Sequence, residues 1–233
     1  MKSFDTKNEN EITEEEWRRG FYSSKLVAVP HPSSEDFEDL HHGHGGCKID
    51  KTELRAITLA QLQDVCTHIE RRCPSEKWTN WGGKELKPAT VTLYDACCHV
   101  IKPATLLRKL SYVELVAHGE QAPCWFCSHW WGEPVLDFVA CVETHAMDHG
   151  YSLEGCEHYD EATAYWVCAY ANNQHDLASV NAPTLEQTSF YKALLLADGT
   201  VSILDVNGMC FARVWCSYEC FVSLTQIEGL KYE

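Results

Sequence analysis

The segment that decides the fold runs from Cys124 to Gly150 and reads CWFCSHWWGEPVLDFVACVETHAMDHG. Its first eight residues form a short apolar and aromatic run, which is typical of a buried β-strand. The rest predicts a helix, because Pro134 suits a first helical turn, where its missing N–H costs nothing. The apolar residues of that helix recur at helical spacing: Val135, Phe138, Val139 and Val142. The segment therefore predicts a strand followed by a helix.

The same alternation recurs twice toward the C-terminus. Residues 164–171, AYWVCAYA, predict a strand, and 188–199, TSFYKALLLADG, predict a helix that ends in glycine. Residues 200–208, TVSILDVNG, predict a third strand, and 211–226, FARVWCSYECFVSLTQ, a third helix. This alternation predicts an α/β domain with parallel strands and helices on both faces of the sheet. In such sheets ligands bind beyond the carboxyl ends of the strands.

The half of the chain that precedes this α/β domain (122–233) does not show the alternation of strands and helices. Residues 1–52 predict a weakly structured acidic and histidine-rich segment, and residues 53–121 a helical, loop-rich N-terminal region. Within the latter, Thr58 caps a predicted helix over 58–73. A second predicted helix ends at Lys102, because a residue that precedes proline resists the α conformation, and SYVELVAHG predicts a short third one.

Composition argues against two classes of partner. The formal net charge is −15 and the basic residues form no patch, so nucleic-acid binding is disfavoured. No apolar run approaches the ~20 residues that span a bilayer, and the acidic start lacks the apolar core of a secretory signal. The 13 cysteines are therefore expected as reduced thiols in the cytoplasm.

A histidine-rich loop is the first candidate for metal binding. HHGHGGC brings four residues with zinc-ligand chemistry close together: His41, His42, His44 and Cys47. A closed zinc site needs a folded frame, so a solvated loop is the favoured interpretation and no bound metal is expected. Cys124 and Cys127 would point to opposite faces of a strand, so they too are expected to be buried thiols rather than ligands.

Three segments resemble TIR domains and their fungal HET relatives. The opening strand and helix of TIR domains are resembled by the segment FCSHWWGEPVLDFVACV. A later TIR segment, which carries the motif Trp-Cys-x-x-Glu, is resembled by GTVSILDVNGMCFARVWCSYECF, where the motif is Trp215 to Glu219. YWVCAYANNQHDL is similar to the HET signature, and HET domains also carry Arg-x-Trp-x-x-x-Glu, here Arg213, Trp215 and Glu219. SHWWGEPV and YWVCAYANNQ, in this order, also resemble a group of proteins from unicellular eukaryotes.

The resemblance implies a flavodoxin-like α/β fold that cleaves NAD at the nicotinamide–ribose bond. Glu219 would be the catalytic carboxylate that stabilises an oxocarbenium-like state. The residues that would bind the nucleotide are Ser128, His129, Trp130, Trp131, Asn173, Arg213 and Trp215. Trp130 or Trp131 would stack on a ring, whereas Asn173 precedes a loop that closes over ligand and mediates assembly in TIR domains.

Departures from the family keep other interpretations open. His129 stands where TIR domains have Arg or Tyr, Cys168 replaces an acidic residue of HET domains, and the chain stops at GLKYE, where a fourth strand should begin. From spacing alone, the favoured interpretation of Glu219 is a surface residue on an amphipathic helix rather than a catalytic residue. Two alternatives to NAD cleavage remain, namely a non-catalytic module that self-associates and metal binding through the histidine-rich loop.

Overall fold

The computed structural model describes residues 37–41, 46–149, 162–176, 184–225, 227 and 229–233. The predictions made for residues 1–36, and for His42 and His44 of the histidine-rich loop, lie outside the described residues.

Several helices lie in the described part of the N-terminal half. They are α1 (Glu38–His41), α2 (Leu59–Glu76), α3 (Leu93–Ala96), α4 (Lys102–Thr105) and α5 (Tyr112–Val116). The predicted cap of α2 is confirmed, since the Thr58 hydroxyl accepts the Gln61 backbone N–H and the Gln61 side chain accepts the Thr58 N–H. This reciprocal capping satisfies two N–H groups that a helix start leaves unpaired.

The predicted end of the second helix at Lys102 is wrong. Residues Cys97–Ile101 form a π-helical turn, and the Lys102 N–H donates to the carbonyl of Cys97, five residues back. The chain then continues as α4 with Pro103 in its first turn. In a regular α-helix a proline ring clashes with the carbonyl four residues before it. The wider π-helical turn before Pro103 moves that carbonyl away from the ring, so the helix continues beyond the proline.

The described part of the chain forms a five-stranded sheet. Its strands are β1 (Ile57–Thr58), β2 (Trp125–Ser128), β3 (Ala164–Trp166), β4 (Gly199–Ser202) and β5 (Lys231–Tyr232). They lie in the order β1-β3-β2-β4-β5, and every pairing is parallel except that of β1 with β3. The predicted mostly parallel sheet is confirmed. The fourth parallel strand, expected to be missing at GLKYE, is present as β5, and β1 covers the opposite edge.

The first and third predicted strands are shorter than expected, since β2 ends at Ser128 and β4 at Ser202. The second predicted strand is only partly correct. It ends at Trp166, and Cys168–Ala171 form a helical turn, α7, in which the Ala171 N–H donates to the Val167 carbonyl. Asn172 closes this turn, because its side-chain amide donates to the Cys168 carbonyl at 3.0 Å. Short buried apolar runs look alike in strands and helices, which explains the error.

Helices cover both faces of the sheet. They are α6 (Val135–His149), α8 (Ser189–Leu196) and α9 (Val214–Thr225), at the three predicted positions. Successive residues of β2 enter two separate apolar clusters. Trp125 and Cys127 join one with residues of α2 and α6, and Phe126 joins the other with residues of α8 and α9. The 53–121 region therefore shares a core with the α/β region.

Within the described residues, the helices are too short or too polar to span a membrane.

Candidate functional site

Glu219 lies against the carboxyl end of β2. It is a residue of α9 with only 5% of its surface exposed, so it is not a surface glutamate. The hydroxyl of Ser128, the last residue of β2, donates to Glu219 Oε2 at 2.5 Å. Ser128 is paired with Ser202 at the end of β4, and α9 follows β4 in the chain. The parallel register and the crossover thus bring the serine and the carboxyl together.

The surroundings of Glu219 favour its protonated form. Burial raises the pKa of this carboxyl well above its usual range, and the nearby Cys216 thiol raises it further. The hydrogen bond from Ser128 and the charge of Arg213 oppose this rise in the pKa. The site therefore holds a buried carboxyl whose protonated form is favoured even though the charge of Arg213 acts on it.

Two thiols complete the immediate surroundings of this pair. Cys210 Sγ lies 3.9 Å from Ser128 Oγ, and the Cys216 thiol donates to the His129 carbonyl at 3.5 Å. Hydrogen bonding to Cys210, together with burial, raises the pKa of Cys216, so this thiol stays neutral. Sequence reasoning did not single out Cys210, and no local signal identifies it.

The three residues after Ser128 differ in whether their side chains can contact a ligand. His129 is buried against Phe138, and burial lowers its pKa to about 4, so its imidazole is neutral. Trp131 is buried and its indole N–H donates to Cys168 Sγ at 3.1 Å. Trp130 is half-buried and is the one of the three that can stack on a ligand.

Gly132 explains how Trp130 is held. A Cβ at this glycine would lie 2.2 Å from the Trp130 indole, so only glycine allows the ring this close to the backbone.

Arg213 immediately precedes α9 and Trp215 lies in its first turn, and the two have different roles. Arg213 Nη1 donates to the Tyr94 hydroxyl at 3.5 Å, and its charge acts on Glu219 as described above. The Trp215 ring stacks on Phe190 of α8, with ring centroids 5.7 Å apart. Arg213 is therefore near the predicted site, whereas Trp215 packs one helix against the next.

Asn173 belongs to the structure of its loop. Its side-chain amide donates to the Lys109 carbonyl at 2.7 Å, and its Oδ1 accepts the His175 backbone N–H. These hydrogen bonds run to the N-terminal half and to the loop itself rather than to the Glu219 cluster.

A second buried carboxyl lies in the loop after β2. Glu133 is buried, and its Oε2 has no hydrogen-bond partner among the described residues. Burial, and then the charges of Asp205 and Asp137, raise the pKa of Glu133 to about 7. Asp205 belongs to the loop after β4, so the loops at the carboxyl ends of β2 and β4 face each other. Sequence reasoning passed over Glu133.

Within the described parts of the chain, metal-ligating groups converge at one place. The ligand atoms of His145, His149 and Glu233 all lie within 4.8 Å of one another.

Comparison of the chain with protein-family models, with curated proteins and with solved structures finds no match.

Proposed function

We propose that the Glu219 site binds NAD and hydrolyses its nicotinamide–ribose bond, the activity implied by the TIR and HET resemblance. Nicotinamide leaves, and a water molecule supplies the hydroxyl that bonds to the ribose carbon. The observation that carries the proposal is the hydrogen bond between Ser128 and Glu219, which places a buried carboxyl at the carboxyl ends of parallel strands. A glutamate exposed on the surface would lack both this hydrogen bond and this position.

The strand order supports this location. Counted along the chain, the four parallel strands lie in the order second, first, third, fourth, which is how a flavodoxin-like sheet begins. We therefore propose a flavodoxin-like architecture for this domain. In such a sheet the strand order reverses between the first and third strands, here β2 and β4, and ligands bind at that reversal. Ser128 ends β2 at this point.

The chemistry of the site fits a cationic substrate. The nicotinamide ring of NAD is positively charged, and positive charge develops on the ribose as the glycosidic bond breaks. Each would lower the raised pKa of Glu219 and ionise it, so that the carboxylate stabilises the oxocarbenium-like state. Ser128 orients the carboxyl, and Trp130 supplies a ring on which nicotinamide or adenine can stack.

Nicotinamide release from NAD tests the proposal. Purified protein at high concentration should release nicotinamide, and Glu219→Gln should lower the rate about 100-fold or more, because the neutral amide cannot stabilise a cation. The exposed Glu120 provides the matched control, and Glu120→Gln should retain the full rate. Absence of release by the native protein, or release undiminished by Glu219→Gln, would contradict the proposal.

A second candidate function, self-association, is favoured by the outer face of α9. Val214, Phe221 and Leu224 are exposed on this face, and the only charged residue of the helix, Glu219, is buried on the other side. A second copy of a chain with net charge −15 can therefore approach here without contact between like charges. Because salt screens the remaining repulsion, association should strengthen as ionic strength rises.

Light scattering over a range of concentrations tests this function. The double substitution Phe221→Ser with Leu224→Ser should keep the protein monomeric, whereas Val206→Ser, at an exposed loop residue, should leave association unchanged. A native protein that stays monomeric at high concentration and high salt would contradict self-association.

A further inference from the structure

The C-terminal turn of α6 and the end of β5 converge on one point. His145 and His149 are four residues apart in α6, so their side chains lie on one face of the helix. Glu233 follows β5 and is held by two backbone hydrogen bonds to the β4 region. The Ser202 N–H donates to the Glu233 carbonyl at 2.7 Å, and the Glu233 N–H donates to the Thr200 carbonyl at 2.9 Å. The two histidines and Glu233 are thus all attached to regular, hydrogen-bonded backbone.

The three side chains approach one another closely. His149 Nε2 lies 2.5 Å from Glu233 Oε2, and His145 Nε2 lies 3.7 Å from the same oxygen. Ligands of a tetrahedral zinc ion, each about 2.0–2.2 Å from the metal, are roughly 3.3 Å apart. The present spacing therefore needs adjustments on the order of 1 Å to hold an ion.

Packing beneath the cluster fixes the two imidazoles. The Trp125 ring lies edge-on to His145, with centroids 4.4 Å apart, and 5.6 Å from His149. Gly199 makes room for it, because a Cβ there would lie 2.3 Å from the indole. The tryptophan thus supports both rings from the sheet.

His145 carries the observation that points to a ligand. Its side chain is only 7% exposed, and its Nε2, which is turned toward Glu233, is buried and has no hydrogen-bond partner within the described part of the chain. Its other ring nitrogen, Nδ1, is hydrogen-bonded to the Tyr165 hydroxyl at 3.0 Å. When Nδ1–H donates to that hydroxyl, Nε2 presents a lone pair to the cluster. A second-sphere hydrogen bond of this kind orients histidine ligands in metal sites.

We propose that His145 Nε2, His149 Nε2 and Glu233 bind a divalent transition-metal ion of the zinc class. Two imidazoles and a carboxylate form a donor set that suits Zn²⁺. The side chains of His149 and Glu233 are 37% and 34% exposed, so the fourth coordination position faces solvent. Three protein ligands with one open position are typical of reactive zinc sites rather than closed structural ones. The site is separate from Glu219 and would join α6 to the edge strand β5.

The metal stoichiometry of the 233-residue chain tests the proposal. Metal-stripped, fully reduced protein is titrated with Zn²⁺ against a chromophoric chelator, and His149→Ala and Glu233→Gln are compared with the native chain. Both variants change partly exposed side chains, so the fold should survive, and circular dichroism verifies this. Each should lose one bound equivalent or bind it at least tenfold more weakly. The matched control, His118→Ala, alters an exposed histidine elsewhere and should keep that equivalent.

Cobalt distinguishes this site from the cysteines and from the histidine-rich loop. Co²⁺ in the proposed site should give visible d–d absorption that depends on His149 and lacks a thiolate-to-cobalt charge-transfer band. Zn²⁺ stoichiometry and affinity that are the same in the native chain and both variants would overturn the proposal. So would cobalt absorption that persists unchanged in His149→Ala.

Discussion

Two polar clusters lie at opposite ends of β2, and they satisfy their buried groups in different ways. At the carboxyl end, Ser128 donates to Glu219, so the protein itself provides the partner of the buried carboxyl. At the amino end, Trp125 packs against His145, whose Nε2 has no hydrogen-bond partner in the described residues. The buried carboxyl of Glu219 thus has a partner within the protein, whereas the buried Nε2 of His145 has none among the described residues.

The difference indicates what each cluster is suited to bind. An organic cation that approaches a buried, hydrogen-bonded carboxyl lowers its raised pKa and so favours the ionised form. An imidazole nitrogen with an unused lone pair beside a carboxylate is suited to a metal ion. The two ends of one strand therefore point to two independent ligands, and the variants below separate them.

Trp125→Ala should have the largest effect on stability. It removes a buried indole that supports His145 and His149, and the cavity should lower the free energy of unfolding by about 3–5 kcal/mol. Urea denaturation measures the change, and Trp81→Ala, at an exposed tryptophan, should stay within about 0.5 kcal/mol of the native value. A loss below about 1 kcal/mol would mean that the indole does not support the amino-end cluster.

Glu219→Gln should change how stability depends on pH. Because the folded-state pKa of Glu219 is raised, its contribution to stability is fully present below the pKa of the unfolded chain and is lost as pH rises through the folded-state pKa. The variant lacks this loss, so its stability relative to the native chain should rise by up to about 1.4 kcal/mol per pH unit in that window. Denaturation between pH 5 and pH 9, with Glu120→Gln as control, gives the two curves. Parallel curves for Glu219→Gln and the native chain would refute a protonated carboxyl.

Ser128→Ala should leave the carboxyl without its donor. The lost hydrogen bond should cost about 1–2 kcal/mol of stability. Since this bond lowers the pKa of Glu219, its removal should also move the pH-dependent loss of stability to higher pH. The same denaturation series measures both effects, and Ser217→Ala on the exposed side of α9 provides a control. An unchanged midpoint of that loss would show that the hydroxyl does not act on the carboxyl.

Tyr165→Phe should have the smallest effect on the fold and should act at the amino end alone. Loss of one hydroxyl should cost about 1 kcal/mol. It should also weaken metal binding roughly tenfold without changing the stoichiometry, because the orienting partner of His145 Nδ1 is gone. Chelator competition measures this, and an affinity equal to that of the native chain would separate Tyr165 from the site.

Local features of the fold could be predicted from the sequence, and contacts between distant segments could not. The Thr58 cap and the helix of Val135–His149 depend on neighbouring residues, and both are confirmed. The turn at Cys168–Ala171 and the π-helical turn before Pro103 depend on packing and on hydrogen bonds that apolar periodicity does not encode. The short strand β1 also escaped prediction, because two residues carry no periodic signal.

The two clusters illustrate the same limit. Ser128 and Glu219 are 91 residues apart in the chain and meet only because of the strand register. The resemblance to TIR domains pointed to each residue, but their hydrogen bond is a property of the fold. Glu233 lies beside His145 and His149 only because β5 pairs with β4, and nothing in the local sequence connects these residues.

A crystal structure of Glu219→Gln grown with NAD tests the central claim most directly, because the slowed reaction preserves the dinucleotide. We expect the nicotinamide ribose within hydrogen-bond distance of Ser128 Oγ and of the side chain at position 219, with a ring of NAD against Trp130. Dinucleotide bound elsewhere, or none bound at millimolar NAD, would contradict it.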